Sequence, residues 1–211
     1  MIISVMGLIG AGKSSLVKAL QETCGYTAFI EPTSESEGAK NNPFLNLYYE
    51  DPKRWSYTMQ TFLLFERHNQ TMEAYYRSLR GEMCILDSCC ESDMAFALVQ
   101  KRDHYFTVDE FVAYSNMYKT LQDNRPKADL VVWLDIAPKE VVARIQKRSR
   151  DCESNIPLDY LIHLDDAYQE VLRALEAHTK VVRINARPDA QTVLASVQKA
   201  ISERRIELAL Q

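Results

Sequence analysis

The segment from Ile2 to Leu20, IISVMGLIGAGKSSLVKAL, constrains this chain more than any other. A short apolar run, Ile2 to Met6, leads into Gly7-Leu8-Ile9-Gly10-Ala11-Gly12-Lys13-Ser14-Ser15, and Leu16, Val17 and Leu20 then recur at helical spacing. Strand, glycine-rich turn and helix in that order satisfy the pattern G-x-x-x-x-G-K-[ST] in the context it requires. Backbone N–H groups must close around a polyphosphate, so glycines stand where a Cβ would obstruct the approach or where φ is positive. A helix beginning near Ser14 adds its partially positive end. Lys13 is expected to reach the β- and γ-phosphates, and the Ser14 hydroxyl to ligate Mg²⁺. With both flanks in register, a chance glycine-rich turn is the poorer explanation. A nucleotide-phosphate site is therefore expected at Gly7, Gly10, Ala11, Gly12, Lys13, Ser14 and Ser15.

The remaining composition narrows the class. A chain of 211 residues, 46% hydrophobic, can bury one sizeable core, and one domain spanning 1–211 is expected. A net charge of −4 without a Lys/Arg-rich block gives no positive footprint for nucleic acid. Apolar runs fall short of the roughly 20 residues of a membrane span, and the first strand starts without a signal-peptide layout. Cys24, Cys84, Cys89, Cys90 and Cys152 form no C-x-x-C pair, which suits reduced thiols and a cytoplasmic setting.

Strand-like runs recur at Ile2–Met6, Thr27–Ile30, Met83–Leu86, Leu130–Leu134 and Val181–Ile184, with helical patterns between them. This alternation predicts an α/β fold: about five parallel strands with helices on both faces. Ligands of such sheets sit beyond the carboxyl ends of the strands, which singles out the loop at Gly7, then Glu31, Asp87 and Asp135. Pro32 biases Glu31 to an extended conformation, and the polar segment Ser34–Asn42 reads as a mobile loop. A long helix is expected over Asp51–Leu79, with Asp51 as N-cap, Pro52 at its first position, and Trp55, Met59, Phe62, Leu63 and Phe65 facing the core. Gln60 and Arg67, two turns apart, share its apolar face. Spacing leaves them open as a solvated edge or as the wall of a polar-ligand pocket. Arg144, Lys147, Arg148 and Arg150 form a second cluster, open as a solvated helix end or as a lid over a transferring phosphoryl group. His68, His104, His163 and His178 are scattered, adjacent Cys89 and Cys90 read as packing residues, and Trp133 reads as core.

Together these segments resemble the deoxynucleoside kinase family, most closely its bacterial deoxyadenosine/deoxyguanosine kinase branch. The resemblance rests on Gly7–Ser14, Glu31-Pro32, Asn42–Leu45, Tyr48–Trp55, Gln60 with Arg67, Asp87–Asp93, and Arg144–Glu153 running into Ile156–Leu161. The tract Asn42–Arg67 is its most distinctive part, since the phosphate loop is shared by many NTPases. The resemblance implies a P-loop NTPase-type three-layer fold with a lid over residues 144–155, and transfer of the ATP γ-phosphoryl to a deoxynucleoside 5′-hydroxyl. It implies Glu31 as general base on that hydroxyl, Asp87 with Ser14 on Mg²⁺, and Lys13, Arg144, Arg148 and Arg150 around the transferring group. Tyr49 and Glu153 would bind the sugar 3′-hydroxyl. Gln60, Arg67 and Asp93 would read the base, with Met59 and Phe96 on its faces. A carboxylate at Asp93 accepts from exocyclic amino groups, which favours a purine or cytosine over thymine. Family members commonly pair through two helices, so a homodimer is expected, with Asp51–Leu79 and Thr107–Leu121 carrying surplus apolar surface.

Two departures stand out. The family usually reads Asp/Glu-Arg-Ser where this chain has Asp87-Ser88-Cys89, and Ser88 supplies no positive charge. Another arginine in its place, weaker turnover or a different acceptor would follow. The aromatic often found shortly after the Glu-Pro pair is also missing, with Thr33, Ser34, Glu35 and Ser36 in that stretch. The competing readings are a nucleoside monophosphate kinase of the thymidylate kinase type, whose acceptor phosphate Glu31 would repel, and a nucleotide-binding subunit with weak turnover.

Overall fold

The structure, a computed structural model, describes residues 1–30, 43–148 and 156–210. Its strands are β1 (Ile2–Gly7), β2 (Thr27–Phe29), β3 (Cys84–Asp87), β4 (Leu130–Asp135) and β5 (Val181–Asn185), all at the expected places. They form one sheet in the order β2-β3-β1-β4-β5, with every neighbouring pair parallel. Strand β1 lies at the centre and is buried at all six positions, as a strand covered on both faces must be. The helices described are α1 (Lys13–Cys24), α2 (Phe44–Glu50), α3 (Pro52–Ser78), α4 (Cys90–Arg102), α5 (Val108–Asn124), α6 (Pro138–Arg148), α7 (Leu158–Glu176) and α8 (Ala190–Ala209). Helices α1 and α8 pack together against the sheet, while α3 crosses β1–β3 and α4 packs along α7.

Local chemistry accounts for the boundaries. Helix α1 buries Leu16, Val17 and Leu20 and ends at Gly25, whose φ of 69° closes the αL cap back to the Gln21 carbonyl. Asp51 caps α3 through the Arg54 N–H, and Pro52 occupies its first position, as read from the sequence. Thr107 and Glu110 form a reciprocal capping box at the start of α5. In the core, Trp133 of β4 is fully buried and stacks at 5.0 Å on Tyr168 of α7.

One core assignment is corrected. Phe65 is 45% exposed, and Leu64 is fully buried in its stead. The buried positions of α3 run Ser56, Met59, Gln60, Leu63, Leu64, Arg67, Thr71, Ala74, a 3.6-residue stripe that places Phe65 a hundred degrees past its edge.

Thr107 caps α5 far along the chain from the phosphate loop, so Thr107→Ala tests fold stability in isolation. It is expected to lower the unfolding free energy by about 1 kcal/mol in urea titration, with nucleotide binding unchanged.

Candidate active site

The phosphate loop grows out of the central strand. Gly7 ends β1 beside Leu134, where an added Cβ would stand 3.2 Å from the Leu134 Cβ and 3.1 Å from that of Ala11. The chain then turns through Gly10 and Gly12, with φ of 80° and 101°, values that L side chains rarely adopt. The Ala11 N–H closes the turn on the Leu8 carbonyl at 3.1 Å, and the Leu16 N–H reaches the Gly12 carbonyl at 3.0 Å. Lys13 opens α1 and folds its ammonium back onto the loop, donating to the Gly7 and Leu8 carbonyls at 3.0 and 3.1 Å. Ser14 sits half-buried in the first helical turn, with Ser15 exposed beside it.

The carboxylates sit at the ends of neighbouring strands. Asp87 closes β3, fully buried, and pairs in register with Val5, two residues before Gly7. Ser88 extends the ladder by one bond, its N–H on the Val5 carbonyl at 3.1 Å. It is 2% exposed and takes a φ of 78°, a left-handed conformation uncommon outside glycine. Asp135 closes β4 and is exposed. Glu31, the expected base, lies outside the described residues, as do residues 149–155 with Arg150 and Glu153. Ile30, immediately before Glu31, is held by α3: Gln70 Nε2 donates to its carbonyl at 3.2 Å. Gln70 stands one turn beyond Arg67 on that helix.

The Gln60–Arg67 pair is decided by burial. Each is only 1% exposed, which removes the solvated-edge reading. Arg67 forms a hydrogen-bonded ion pair with Asp93, which is fully buried in the first turn of α4. Gln60 Oε1 is buried and has no hydrogen-bond partner among the described residues. A buried acceptor left unpaired costs about 1–3 kcal/mol, and native structures rarely leave one without a reason such as a ligand donor. Two turns of α3 and the start of α4 thus bury an acceptor without a partner among the described residues and a desolvated ion pair. Behind it, burial and the Asp93 charge push the Tyr114 phenol well up.

The other expected contacts divide. Met59 is 5% exposed and adjoins Gln60, in a small cluster with Tyr48 and Leu63 that also packs Phe44, Trp55 and Phe62. Tyr49 follows on α2, a helix the strand-and-helix alternation did not signal. The neighbouring Tyr48 phenol is pushed up by burial and lies near Tyr160 in the first turn of α7. Tyr160 carries no local sequence signal, because the contact joins residues more than a hundred apart in the chain. Phe96 presents its ring edge-on to Tyr168 at 6.1 Å, so its contact here is with the central core. Arg144 donates to two backbone carbonyls, Ala11 at 3.4 Å and Ala186 at 2.7 Å. Arg148 ends α6, its side chain outside the described atoms.

Metal and nucleophile candidates can be sorted on the same basis. No group of three or more His, Cys, Asp or Glu that could hold a metal exists among the described residues. A divalent cation held by one serine hydroxyl, one carboxylate and ligand phosphates needs no such cluster, and Ser14 at the start of α1 and Asp87 at the end of β3 are residue types of that kind. Burial pushes the Cys90 thiol up to about 12 and the Cys89 thiol well up, which makes both poor nucleophiles. Burial and the Arg125 charge lower His68.

The chain is similar to known proteins over most of its length. The family model described as Deoxynucleoside kinase matches residues 3–204. A deoxyguanosine kinase of Dictyostelium discoideum is 37% identical over 172 residues, 81% of this chain and 58% of that protein. A deoxyadenosine kinase of the same organism is 30% identical over 183 residues, covering 87% and 71%. A deoxyadenosine kinase of Lactobacillus acidophilus is 28% identical over 211 residues, covering 96% and 94%. The structure of deoxyadenosine kinase from M. mycoides with bound dATP superposes with a TM-score of 0.82 at 26% identity, covering 96% of this chain and 99% of that one. The chain therefore spans somewhat over half of the first of these relatives and nearly all of the bacterial ones.

Removing one partner of the buried pair should be costly whatever the ligand. Asp93→Ala is expected to lower the unfolding free energy by about 3–5 kcal/mol, because the buried Arg67 guanidinium loses its buried carboxylate partner. The double variant Arg67→Met/Asp93→Leu should recover most of that loss in the same denaturation experiment.

Proposed function

The chain belongs to the deoxynucleoside kinase family, and from that premise we propose that it transfers the γ-phosphoryl group of ATP to the 5′-hydroxyl of a deoxynucleoside. The proposed acceptor is a purine deoxynucleoside, deoxyadenosine or deoxyguanosine, with deoxycytidine as the second choice. The observation that carries this reading is the buried Gln60 Oε1, without a hydrogen-bond partner among the described residues, on the same face of α3 as the Arg67–Asp93 pair, in a fold whose central strand ends in a phosphate loop. A polar, desolvated wall of that kind suits the edge of a nucleobase and discriminates strongly, since a wrong base leaves its groups unpaired.

The steps assigned to the chain's own residues are few. Glu31 would accept the proton of the 5′-hydroxyl as the oxygen attacks the γ-phosphorus. Its attachment point supports this: Ile30 is pinned to α3 beside the helix face that carries Arg67. Lys13, whose ammonium rests on the Gly7 and Leu8 carbonyls, would exchange them for β- and γ-phosphate oxygens. Arg148 and Arg150 would steady the transferring group, and Tyr49 with Glu153 would bind the 3′-hydroxyl. Gln60, Arg67 and Asp93 would read the base edge, with Met59 on one face and Phe96 at the margin. Ser14 and Asp87 would hold Mg²⁺, which when bound neutralises donor-phosphate charge. Four described cysteines are free thiols, which suits the proposed cytoplasmic setting, and no described helix is long and apolar enough to cross a membrane.

Acceptor choice is tested with radiolabelled ATP offered with deoxyadenosine, deoxyguanosine, deoxycytidine and their monophosphates. Label is expected on the deoxynucleosides, purines first; transfer to monophosphates alone would overturn the assignment in favour of a monophosphate kinase. Glu31→Gln should lose at least a hundredfold in kcat with ATP affinity retained.

A homodimer is proposed on the same footing, covering apolar side chains such as Tyr76 of α3 and Val108 of α5, exposed by 56% and 75%. Sedimentation at micromolar concentration should give about twice 24.3 kDa, and a lone 24.3 kDa species would reject it.

A further inference from the structure

Arg144 stands apart from a phosphoryl clamp by what it touches. Its guanidinium is half-buried and spans two main-chain carbonyls: Nη2 donates to Ala186 at 2.7 Å and Nη1 to Ala11 at 3.4 Å. The Ala186 end is itself fixed. Its N–H bonds the Asp135 carbonyl at the end of β4, at 2.9 Å. The next residue, Arg187, pairs with Glu140 of α6 at 3.0 and 2.9 Å, and Glu140 also accepts from the Ala137 N–H at 3.2 Å. Helix α6 is seated on the phosphate loop beside this junction, since a Cβ on Gly10 would lie 2.9 Å from Ile145 Cγ1.

The Ala11 end is the soft one. The Ala11 side chain is buried at 3% exposure, but Gly12 has a φ of 101° and nothing within 4 Å of where its Cβ would be, so on the Gly12 side no side-chain packing fixes the Ala11–Gly12 peptide. In a planar trans peptide the carbonyl and the following N–H point in opposite directions. A donor holding the Ala11 carbonyl on one side therefore turns the Gly12 N–H to the other, into the concavity where successive N–H groups meet an anion.

We propose that Arg144 is a positioning residue for the phosphate loop: it ties the Ala11 carbonyl to the fixed Ala186 carbonyl and so presets the Gly12 N–H for the donor's phosphate tail. The inference rests on the loop binding a polyphosphate, and not on the identity of the acceptor. It gives Arg144 a task different from the direct clamping expected of it by resemblance, and leaves the transferring group to other cations.

The test compares Arg144→Met with the wild-type chain, reading the Kd for inorganic tripolyphosphate and for ADP at low and high salt, then KM for ATP, KM for deoxynucleoside and kcat. Both dissociation constants and the ATP KM should rise about tenfold, the loss of roughly one charge-assisted hydrogen bond. The deficit should persist at high salt, with deoxynucleoside KM unchanged and kcat within about threefold. A kcat loss of a hundredfold with unchanged ADP affinity would overturn the proposal in favour of a clamp. A deficit that vanishes at high salt would overturn it in favour of a direct charge contact. A lower Tm with unaltered tripolyphosphate affinity would reduce Arg144 to a structural tie and overturn it as well. If neither chain phosphorylates a deoxynucleoside while the tripolyphosphate deficit appears, the positioning role stands and the acceptor assignment fails.

Discussion

Backbone N–H groups can grip a polyphosphate only if something else decides which way each peptide faces, and much of the molecule is arranged around that requirement. The root of the loop is rigid because β1 is buried on both faces between β3 and β4. Its crest is permissive, with positive φ at Gly10 and Gly12, and permissive backbone has no preferred facing of its own. Orientation is imposed from outside: Lys13 holds the Gly7 and Leu8 carbonyls, Arg144 holds that of Ala11, and Ile145 covers Gly10. Two cations thus sit on carbonyls of the loop, which keeps both charges partly compensated.

The acceptor side solves a different problem. Arg67 and Asp93 are withdrawn from water almost completely, and desolvating two ions costs several kcal/mol each before their attraction is counted. A hydrophobic pair of similar volume would serve stability at least as well. On the proposed reading the pair serves as a specificity device, presenting a donor fork and an acceptor together at a fixed place. Asp93 sits in the first turn of α4, where the partially positive helix end favours an acidic side chain.

Much of this was legible in the chain itself, and the limits have identifiable causes. The five strands and the α3 boundary with its Asp51 cap could be read because each depends on local chemistry: apolar runs, a capping side chain, a proline at the first position. The phosphate loop was legible because its glycines answer a backbone demand that no other residue meets cheaply. Phe65 reads as core by hydrophobicity alone, whereas helical phase puts Leu64 next to it in the buried stripe. Gln60 and Arg67 stayed undecided because spacing gives a shared face but not its burial, which depends on α4 arriving from residue 90 onward. Arg144 was assigned by resemblance to a clamp, and no periodicity could reveal that its partners are carbonyls 133 and 42 residues away.

Ser88 shows how a sequence departure and a backbone departure can have one origin. The chain must leave β3 after Asp87 and start α4 within three residues, so that Asp87 stays beside Val5 and Asp93 reaches Arg67. A φ of 78° at Ser88 makes that turn, at a conformational cost of order 1–3 kcal/mol for a residue with a Cβ. The Ser88 N–H bond to the Val5 carbonyl and near-complete burial hold it there. Glycine would relax the turn but would also free the one joint that fixes both carboxylates relative to the sheet. The resemblance expects an arginine at this joint, and the geometry explains why a small polar residue can stand in for its structural part. The Ser88 backbone makes the turn between Asp87 and α4, so under the proposed function what serine gives up relative to arginine is a positive charge.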